Sequence, residues 1–184
     1  MSLEKWVEYG WLRREPTSPG EIKDLLGIVE RSLSDSKVEA VSTDLRFIAA
    51  FNAALSVATT ALRASGHRTV TQAGHHVKTI ESLELTIKAS PKVIQRFKTF
   101  NNKRNKSVYD VAGAVSDQEL KAMMALATEL KDSTIAWLRQ FPSRPLTGVV
   151  PSANRRAVDF GSSNRYSLRH CARHLMRRRS GLLL

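Results

Sequence analysis

The sequence predicts an all-α fold, an up-and-down antiparallel helical bundle of five to six helices with a basic, poorly ordered C-terminal tail. Apolar residues recur with the 3.6-residue period of amphipathic helices in successive segments up to about residue 141. No segment shows the alternation of a strand, and no Asn-Gly or Asp-Gly hairpin turn is present. Short connections between such helices make neighbouring helices antiparallel.

The first three predicted helices have recognisable ends. The first covers about residues 3–14 and stops before a proline. The second opens at Ser18, an N-cap residue followed by Pro19 in the first turn. The third occupies about residues 42–66, and its last residue is a glycine placed to form a left-handed C-cap. This third segment is the longest and most apolar, so we expect it to be the central helix.

Three further helices complete the predicted bundle. The fourth begins near Gly74, and the fifth begins at Ser90, which a proline follows. The sixth begins at Ser116 and runs to about Phe141. Glu119 lies three residues after Ser116, which is the spacing of a capping box.

The composition changes after Phe141. Residues 1–141 contain 20 Lys and Arg against 16 Asp and Glu, whereas residues 142–184 contain nine arginines, no lysine and a single acid, Asp159. Two thirds of the formal net charge of +12 therefore lies in less than a quarter of the chain. Because the tail is rich in proline and polar residues and poor in apolar periodicity, we expect residues 142–184 to be extended or disordered.

Two hypotheses account for this tail. The arginine run at 177–179 is suited to electrostatic binding of nucleic acid or anionic lipid. Alternatively, the abrupt change from mixed lysine and arginine to arginine alone is what a shifted or read-through frame of a GC-rich gene would produce. Sequencing the gene around codon 141 tests the second hypothesis, and an unbroken frame shared by close relatives would refute it.

Several classes of protein are not expected from this composition. The N-terminus has glutamates at positions 4, 8 and 15 and no apolar run, unlike a signal peptide. No stretch approaches the roughly 20 apolar residues that span a bilayer, so we expect a cytoplasmic protein without a membrane segment. Cys171 is the only cysteine, which excludes an internal disulfide.

We expect neither a cofactor nor a metal ion. The sequence has no glycine-rich phosphate loop, no Gly-x-Ser-x-Gly elbow and no His-Glu-x-x-His motif. His170, Cys171 and His174 resemble a ligand cluster, but they lie in the arginine-rich tail without an acidic partner. We therefore do not interpret them as a zinc site.

Seven consecutive polar residues, from Asn101 to Ser107, separate two apolar segments. Asn105 and Tyr109 have i,i+4 spacing and share one helical face, whereas Arg104 is expected to point away. For all three to converge, the helix must break or kink, or a second copy must supply the missing face. The alternative interpretation is a solvated connection between helices, with the ring of Tyr109 packed on the core.

Four stretches of the chain resemble the HEPN superfamily of small helical-bundle proteins. The similarity covers about residues 1–140 and none of the tail. Many members of this superfamily are ribonucleases, or toxins paired with a nucleotidyltransferase antitoxin. They carry an arginine, often followed by asparagine, with a histidine four to six residues after the arginine, and two copies of this motif meet across a homodimer cleft. The matching stretches are Asp44-Leu-Arg-Phe-Ile-Ala-Ala-Phe-Asn52, Leu62-Arg-Ala-Ser-Gly-His67, Gly74-His-His76 and Lys103-Arg-Asn-Lys-Ser-Val-Tyr-Asp110.

The resemblance implies a site made of Arg104, Asn105 and Tyr109. Arg104 matches the family's arginine, Asn105 matches the polar residue beside it, and Tyr109 stands where the histidine would be. Tyrosine, with a pKa near 10, exchanges protons poorly near neutrality, so this departure argues against strong RNA cleavage. Arg104 remains suited to bind phosphate through a forked contact.

His75 and His76 are secondary candidates that would replace the missing imidazole, and Asp110 is a further candidate beside Tyr109. Adjacent residues on a helix point about 100° apart, so at most one of the two histidines is expected to face the site. The alternative is that one histidine caps or packs against the helix and the other is solvated.

These observations lead to one interpretation of the function and two alternatives. The interpretation is a HEPN-like RNA- or nucleotide-binding module that forms a homodimer. It belongs to a toxin–antitoxin system, with a nucleotidyltransferase antitoxin as partner. Its metal-independent endoribonuclease activity is weak or lost. The first alternative is a non-catalytic helical partner protein for a nucleotidyltransferase or another regulator. The second is a structural bundle without a ligand.

Overall fold

The computed structural model describes residues 1–70, 74–109 and 113–140, with the backbone alone for residues 106–109. Within these ranges the chain forms six α-helices and one two-stranded antiparallel sheet, which confirms the predicted helical bundle. The predicted tail, residues 142–184, lies outside the described residues. In chain order the elements are α1 (Leu3–Glu8), β1 (Leu12–Arg14), α2 (Pro19–Asp35), α3 (Thr43–Ala64), β2 (His67–Thr69), α4 (His75–Thr86), α5 (Pro91–Tyr109) and α6 (Asp117–Arg139).

Helix α3 is the centre of the bundle, as predicted, and packs against α2, α4, α5 and α6. Its wholly buried aromatic residues meet α5 edge to face, with ring centroids 5.7 Å apart for Phe47 and Phe100 and 5.5 Å apart for Phe51 and Phe97. Since the later residue of α3 meets the earlier residue of α5, the two helices run antiparallel. Buried alanines fill the rest of the buried surface of α3 and allow α2 and α6 to approach closely.

The predicted helix starts are confirmed by their caps. The hydroxyl oxygens of Ser18 and Ser42 accept hydrogen bonds from backbone N–H groups in the first turns of α2 and α3. Ser116 and Glu119 form both halves of the predicted capping box of α6. Gly66 adopts a φ of 78°, the left-handed conformation expected after the end of α3. Each of these interactions is local, which explains why the sequence was sufficient to locate them.

Two predictions about the N-terminal region are wrong. The first helix ends at Glu8 and does not reach residue 14, and a strand that the sequence did not indicate follows it. Gly10 turns the chain with a φ of 72°, and β1 then pairs with β2 so that Leu12 is opposite Thr69. Strands of three residues are too short to show alternation, and their pairing joins residues far apart in the sequence.

The apolar character of α3 was also underestimated. By length and composition alone this helix is apolar enough to cross a membrane, with a mean hydropathy of 1.5 in its most apolar window. However, 56% of that window is buried inside the bundle. The core helix of a soluble protein has the same composition, so this apolar stretch is weak evidence for a membrane segment.

Near the end of α3, a buried ionic cluster connects three parts of the bundle. Arg63, whose side chain is 4% exposed, donates from Nε and Nη2 to Glu21 at 2.8 and 2.6 Å, and its Nη1 lies 3.0 Å from Glu15. The hydroxyl of Thr17 also donates to Glu21, at 2.6 Å. The hydrogen bond from Thr17 lowers the pKa of Glu21 most; burial opposes this effect, and Arg63 lowers the pKa further. The cluster therefore fixes the start of α2 and the segment after β1 against α3.

The other end of α3 holds the connection that precedes α6. The carboxylate of Asp44, a residue in one of the stretches that resemble the HEPN superfamily, accepts hydrogen bonds from the backbone N–H groups of Gly113 and Val115. The hydroxyl of Thr43 donates to Asp117 at 3.3 Å. Helices α3 and α6 consequently begin at the same end of the bundle.

We predict that Glu21→Ala lowers the free energy of unfolding by about 2 kcal/mol, because it removes two acceptors from the buried guanidinium of Arg63. Urea denaturation measures the change. The matched control is Glu30→Ala on the same helix. Glu30 pairs with Lys131 at 3.1 Å but is largely exposed, so its loss should cost less than about 1 kcal/mol. If the two substitutions lowered the free energy of unfolding equally, the prediction that the buried cluster stabilises the fold more than an exposed ion pair would be wrong.

Candidate functional site

The candidate site lies where the start of α4 meets the second half of α5. Lys98 of α5 donates to Glu81 of α4 at 2.5 Å, so these two helices face each other at that level. Six residues later on α5, Arg104 lies close enough to His76, in the first turn of α4, for its positive charge to lower the pKa of that histidine. Two residues that were proposed separately from the sequence therefore influence each other electrostatically.

Arg104 is half-buried and lies over the core. Its guanidinium carbon is 5.9 Å from the ring centroid of Phe51, which is wholly buried in α3. Its Nη1 donates to Oδ1 of Asn105 at 3.4 Å. Arg104 reaches its neighbour because the arginine side chain is long, although adjacent side chains leave a helix about 100° apart. The convergence of Arg104, Asn105 and Tyr109 stays a prediction, because the side chain of Tyr109 lies outside the described residues. Helix α5 also continues unbroken to Tyr109, so no break or kink is needed for this contact.

The first turn of α4 supplies the other half of the site. The N-cap residue is Gly74, which adopts a φ of 84° and has no side chain with which to cap the helix. The half-buried rings of His75 and His76 lie against each other, with centroids 4.2 Å apart and an interplanar angle of 64°. The two side chains thus turn towards each other rather than diverge as expected from ideal helical spacing. The charge of Arg104 acts on His76.

The environment of His76 keeps this imidazole neutral near neutral pH. Burial lowers its pKa below the ordinary value of 6.5, and the nearby charges of His75 and Arg104 lower it further. A neutral imidazole accepts a proton or a hydrogen bond, whereas an anion bound beside it would favour the protonated form. The N-terminus of α4 contributes a partial positive charge to the same position.

Lys103, the neighbour of Arg104, contacts α6. Its Nζ lies 3.0 Å from the carboxylate of Glu119, which belongs to the capping box of α6. The backbone hydrogen bond from Ser116 lowers the pKa of Glu119 most, followed by the hydrogen bond from Lys103. This pairing holds α5 against α6, whereas the guanidinium of Arg104 lies over Phe51 of α3.

Asn101, which was not among the predicted site residues, lies on α5 three residues before Arg104. This side chain is 5% exposed, and its buried Oδ1 has no hydrogen-bond partner among the residues that the structure describes. Asn101 precedes Arg104 and Asn105 by one turn of α5. Its i,i+4 spacing from Asn105 was a signal that the sequence contained.

Some predicted site residues are not described. Tyr109 is the last residue of α5, but its side chain lies outside the described residues, and so does Asp110 entirely. Their roles therefore remain predictions. Within the described ranges, no group of three or more His, Cys, Asp or Glu side chains is placed to hold a metal ion.

A separate groove of about 710 Å³ lies between the N-terminal region and helices α4 and α5. Its wall includes Trp6 and Trp11, and the ammonium group of Lys78 lies 3.7 Å from the ring centroid of Trp11 and 3.0 Å from the carboxylate of Glu81. None of the residues proposed from the sequence is among the described residues that line this groove. The groove is therefore distinct from the Arg104 site.

Comparisons of the chain with protein-family models, curated proteins and solved structures give no match. The resemblance to the HEPN superfamily therefore stays a prediction.

We predict that Arg104→Gln raises the pKa of His76 towards 6.5, because it removes a positive charge that disfavours the imidazolium form. Titration of the imidazole signals by nuclear magnetic resonance measures this change. Arg31→Gln, at an exposed position on α2, is the matched control and should leave the pKa of His76 unchanged. An equal pKa in all three proteins would contradict the proximity of Arg104 and His76.

Proposed function

We propose that the bundle is a HEPN-like RNA- or nucleotide-binding module that holds a phosphate group between Arg104 and the first turn of α4. The observation that supports this proposal is the half-buried guanidinium of Arg104 over the ring of Phe51, whose positive charge also acts on His76 in the first turn of α4. A guanidinium, an imidazole and a helix N-terminus are each suited to bind a phosphate oxygen. Their combination in one place favours an anionic ligand over a neutral one.

The surroundings of Arg104 support binding of a phosphate rather than a transient surface contact. The guanidinium lies over the ring of Phe51 and is half-buried, so the local dielectric constant is lower than in water. Attraction between the guanidinium and a phosphate is stronger under these conditions. The planar fork of the guanidinium also fits two phosphate oxygens at once.

The proposed chemistry is metal-independent and at most weakly catalytic. Neutral His76 is suited to accept the proton of a ribose 2′-hydroxyl as that oxygen attacks the adjacent phosphorus, while Arg104 stabilises the charge on the phosphate. Protonation of the leaving 5′-oxygen needs a second group, which a partner copy in the proposed homodimer would supply. A toxin–antitoxin role with a nucleotidyltransferase antitoxin is part of the same proposal and is supported by the sequence resemblance alone.

We predict that Arg104→Gln in the full chain weakens binding of a single-stranded RNA pool by roughly tenfold or more, because a charged hydrogen-bonding group is lost. Fluorescence anisotropy with chelator present measures binding, and gel electrophoresis of the same mixtures measures cleavage. Any cleavage should be lost in the variant.

The control for this experiment is Arg31→Gln, which changes the net charge by the same amount on a different helix. The nine arginines of the tail contribute equally in all of these proteins, so the comparison isolates Arg104. Equal binding by the Arg104→Gln and Arg31→Gln proteins would contradict an RNA site at Arg104.

We also predict that RNA binding becomes tighter as the pH falls from about 7 to about 5.5, because phosphate favours protonation of His76. In the unbound folded protein the pKa of His76 is lowered, so protonation of His76 destabilises the fold as the pH falls. A bound phosphate stabilises the imidazolium form and therefore reverses this effect. Binding isotherms at a series of pH values measure the effect. The His76→Gln protein should show a smaller pH dependence, and an unchanged dependence would exclude His76 from the site.

A second candidate function is that of a non-catalytic partner protein. The observation that favours this candidate is a group of three large apolar side chains exposed around the connection between α2 and α3: Val38, Val41 and Leu45. This candidate gains support if RNA binding does not depend on Arg104.

A further inference from the structure

The groove between the N-terminal region and helices α4 and α5 has the size of a small-molecule site. Its volume is about 710 Å³, and pockets for small ligands in proteins commonly enclose roughly 300 to 1,000 Å³. Its described wall combines two tryptophan rings with apolar side chains from the end of α4 and the start of α5, namely Leu85, Pro91 and Ile94. Because Arg104 is not part of this wall, phosphate binding at Arg104 does not account for the groove.

The two tryptophans give the groove an aromatic wall. Trp6 and Trp11 meet edge to face, with ring centroids 5.6 Å apart and an interplanar angle of 77°. Trp6 is only 4% exposed, whereas Trp11 is partly exposed, so Trp11 is the ring that a ligand can reach more easily. Aromatic rings pack on one another edge to face or offset and gain more free energy than the buried area alone provides. The wall is therefore suited to a planar aromatic ligand.

Lysines outnumber carboxylates along the described wall of the groove. Three lysines and two glutamates line it: Lys78, Lys88, Lys98, Glu81 and Glu84. The Nζ atoms of Lys78 and Lys98 lie 3.0 and 2.5 Å from the same carboxylate, that of Glu81. Lys88 forms no ion pair with any residue that the structure describes. Three positive and two negative charges leave a net charge of +1, which favours a ligand with a single negative charge.

Lys88 lines the groove in a backbone conformation that is unfavourable for lysine. Its φ is 59°, and among the residues that the structure describes it is the only one other than glycine with a positive φ. The chain turns here so that the backbone N–H of Ala89 donates to the carbonyl of Leu83 at 3.1 Å, across the end of α4. Glycine adopts this conformation without strain and is the usual residue after a helix. Strained residues cluster at binding sites, so we expect the side chain of Lys88 to have a use that glycine would not fulfil.

We propose that this groove binds a small planar aromatic carboxylate, at a site separate from the proposed phosphate site. The aromatic ring packs against Trp11 and the apolar side chains beside it, and the carboxylate pairs with Lys88. A carboxylate has one negative charge, which matches the net charge of the wall. A phosphate ester has nearly two negative charges and is repelled more strongly by the two glutamates. This inference goes beyond the proposed function and does not depend on it.

The first test titrates the unaltered full chain with 2-naphthoate and follows the indole N–H signals of its three tryptophans by nuclear magnetic resonance. We expect the signals of Trp6 and Trp11 to shift with a Kd of roughly 1 mM or below, the affinity usual for a ligand of this size. Trp137 belongs to α6 and is not part of the described wall, so its signal is an internal control and should not shift. If Trp11 does not shift, or if Trp137 shifts with the same affinity, the proposal is wrong.

Related compounds test the class of ligand on the same protein. 2-Naphthamide has the same rings without the charge, and cyclohexanecarboxylate has the charge without an aromatic ring. We expect each of them to bind roughly threefold to fivefold more weakly than 2-naphthoate, because one ion pair or one aromatic contact is lost. If 2-naphthamide binds as tightly as 2-naphthoate, the carboxylate is not recognised and the proposal is wrong. Tighter binding of 2-naphthyl phosphate than of 2-naphthoate would contradict the preference for a single charge.

The second test uses Lys88→Gly, with Lys92→Ala as the matched control at an exposed lysine outside the described wall. Because glycine relieves the strain of the positive φ, the thermal midpoint of Lys88→Gly should rise by about 2 to 4 °C. Its affinity for 2-naphthoate should nevertheless fall roughly threefold to fivefold, because the cation that pairs with the carboxylate is lost. Lys92→Ala should bind 2-naphthoate as the unaltered chain does. If Lys88→Gly also binds it as tightly, or if both variants lose the same affinity, Lys88 does not bind the carboxylate and the proposal is refuted.

Discussion

The packing of Phe51 against α5 is the contact on which both the core and the candidate site depend. Its ring meets Phe97 edge to face at 5.5 Å and also lies beneath the guanidinium of Arg104 at 5.9 Å. A wholly buried aromatic residue of the central helix therefore supports a charged side chain at the edge of the core. The position of Arg104 relative to α4 follows from the way α3 and α5 pack, since Phe51 and Phe97 set the distance between those two helices.

The bundle surrounds this contact with paired charges. In the seam of α4 and α5, burial opposes ionisation of Glu81, but hydrogen bonds from Lys98 and Lys78 outweigh it and lower the pKa of that carboxyl. Glu119 is held ionised by the backbone N–H of Ser116 and by Lys103. His76 differs from these groups, because its pKa is lowered by burial and by positive neighbours, with no carboxylate among the causes. The start of α4 is thus a position where an added negative charge would be stabilised.

Most of the excess positive charge of the chain belongs to the C-terminal tail and not to the bundle that contains the candidate site. The net charge of +12 comes mostly from residues 142–184, which lie outside the described residues. In the bundle, lysines and arginines are nearly balanced by acids, and Arg63, Lys98 and Lys103 contact carboxylates directly. A specific contribution of Arg104 to nucleic-acid binding therefore has to be separated from the non-specific contribution of the tail.

The sequence was sufficient to specify the helices and most of their ends, because caps such as Ser116 with Glu119 and turns such as Gly66 depend on residues a few positions apart. It also indicated α3 as the core helix and Arg104, Asn105 and His76 as candidates. Only the tertiary structure decided that β1 pairs with β2, that the charge of Arg104 acts on His76, and that Asn101 of α5 is buried. These arrangements depend on contacts between residues far apart in the chain, and such contacts leave no periodic or local signal in the sequence.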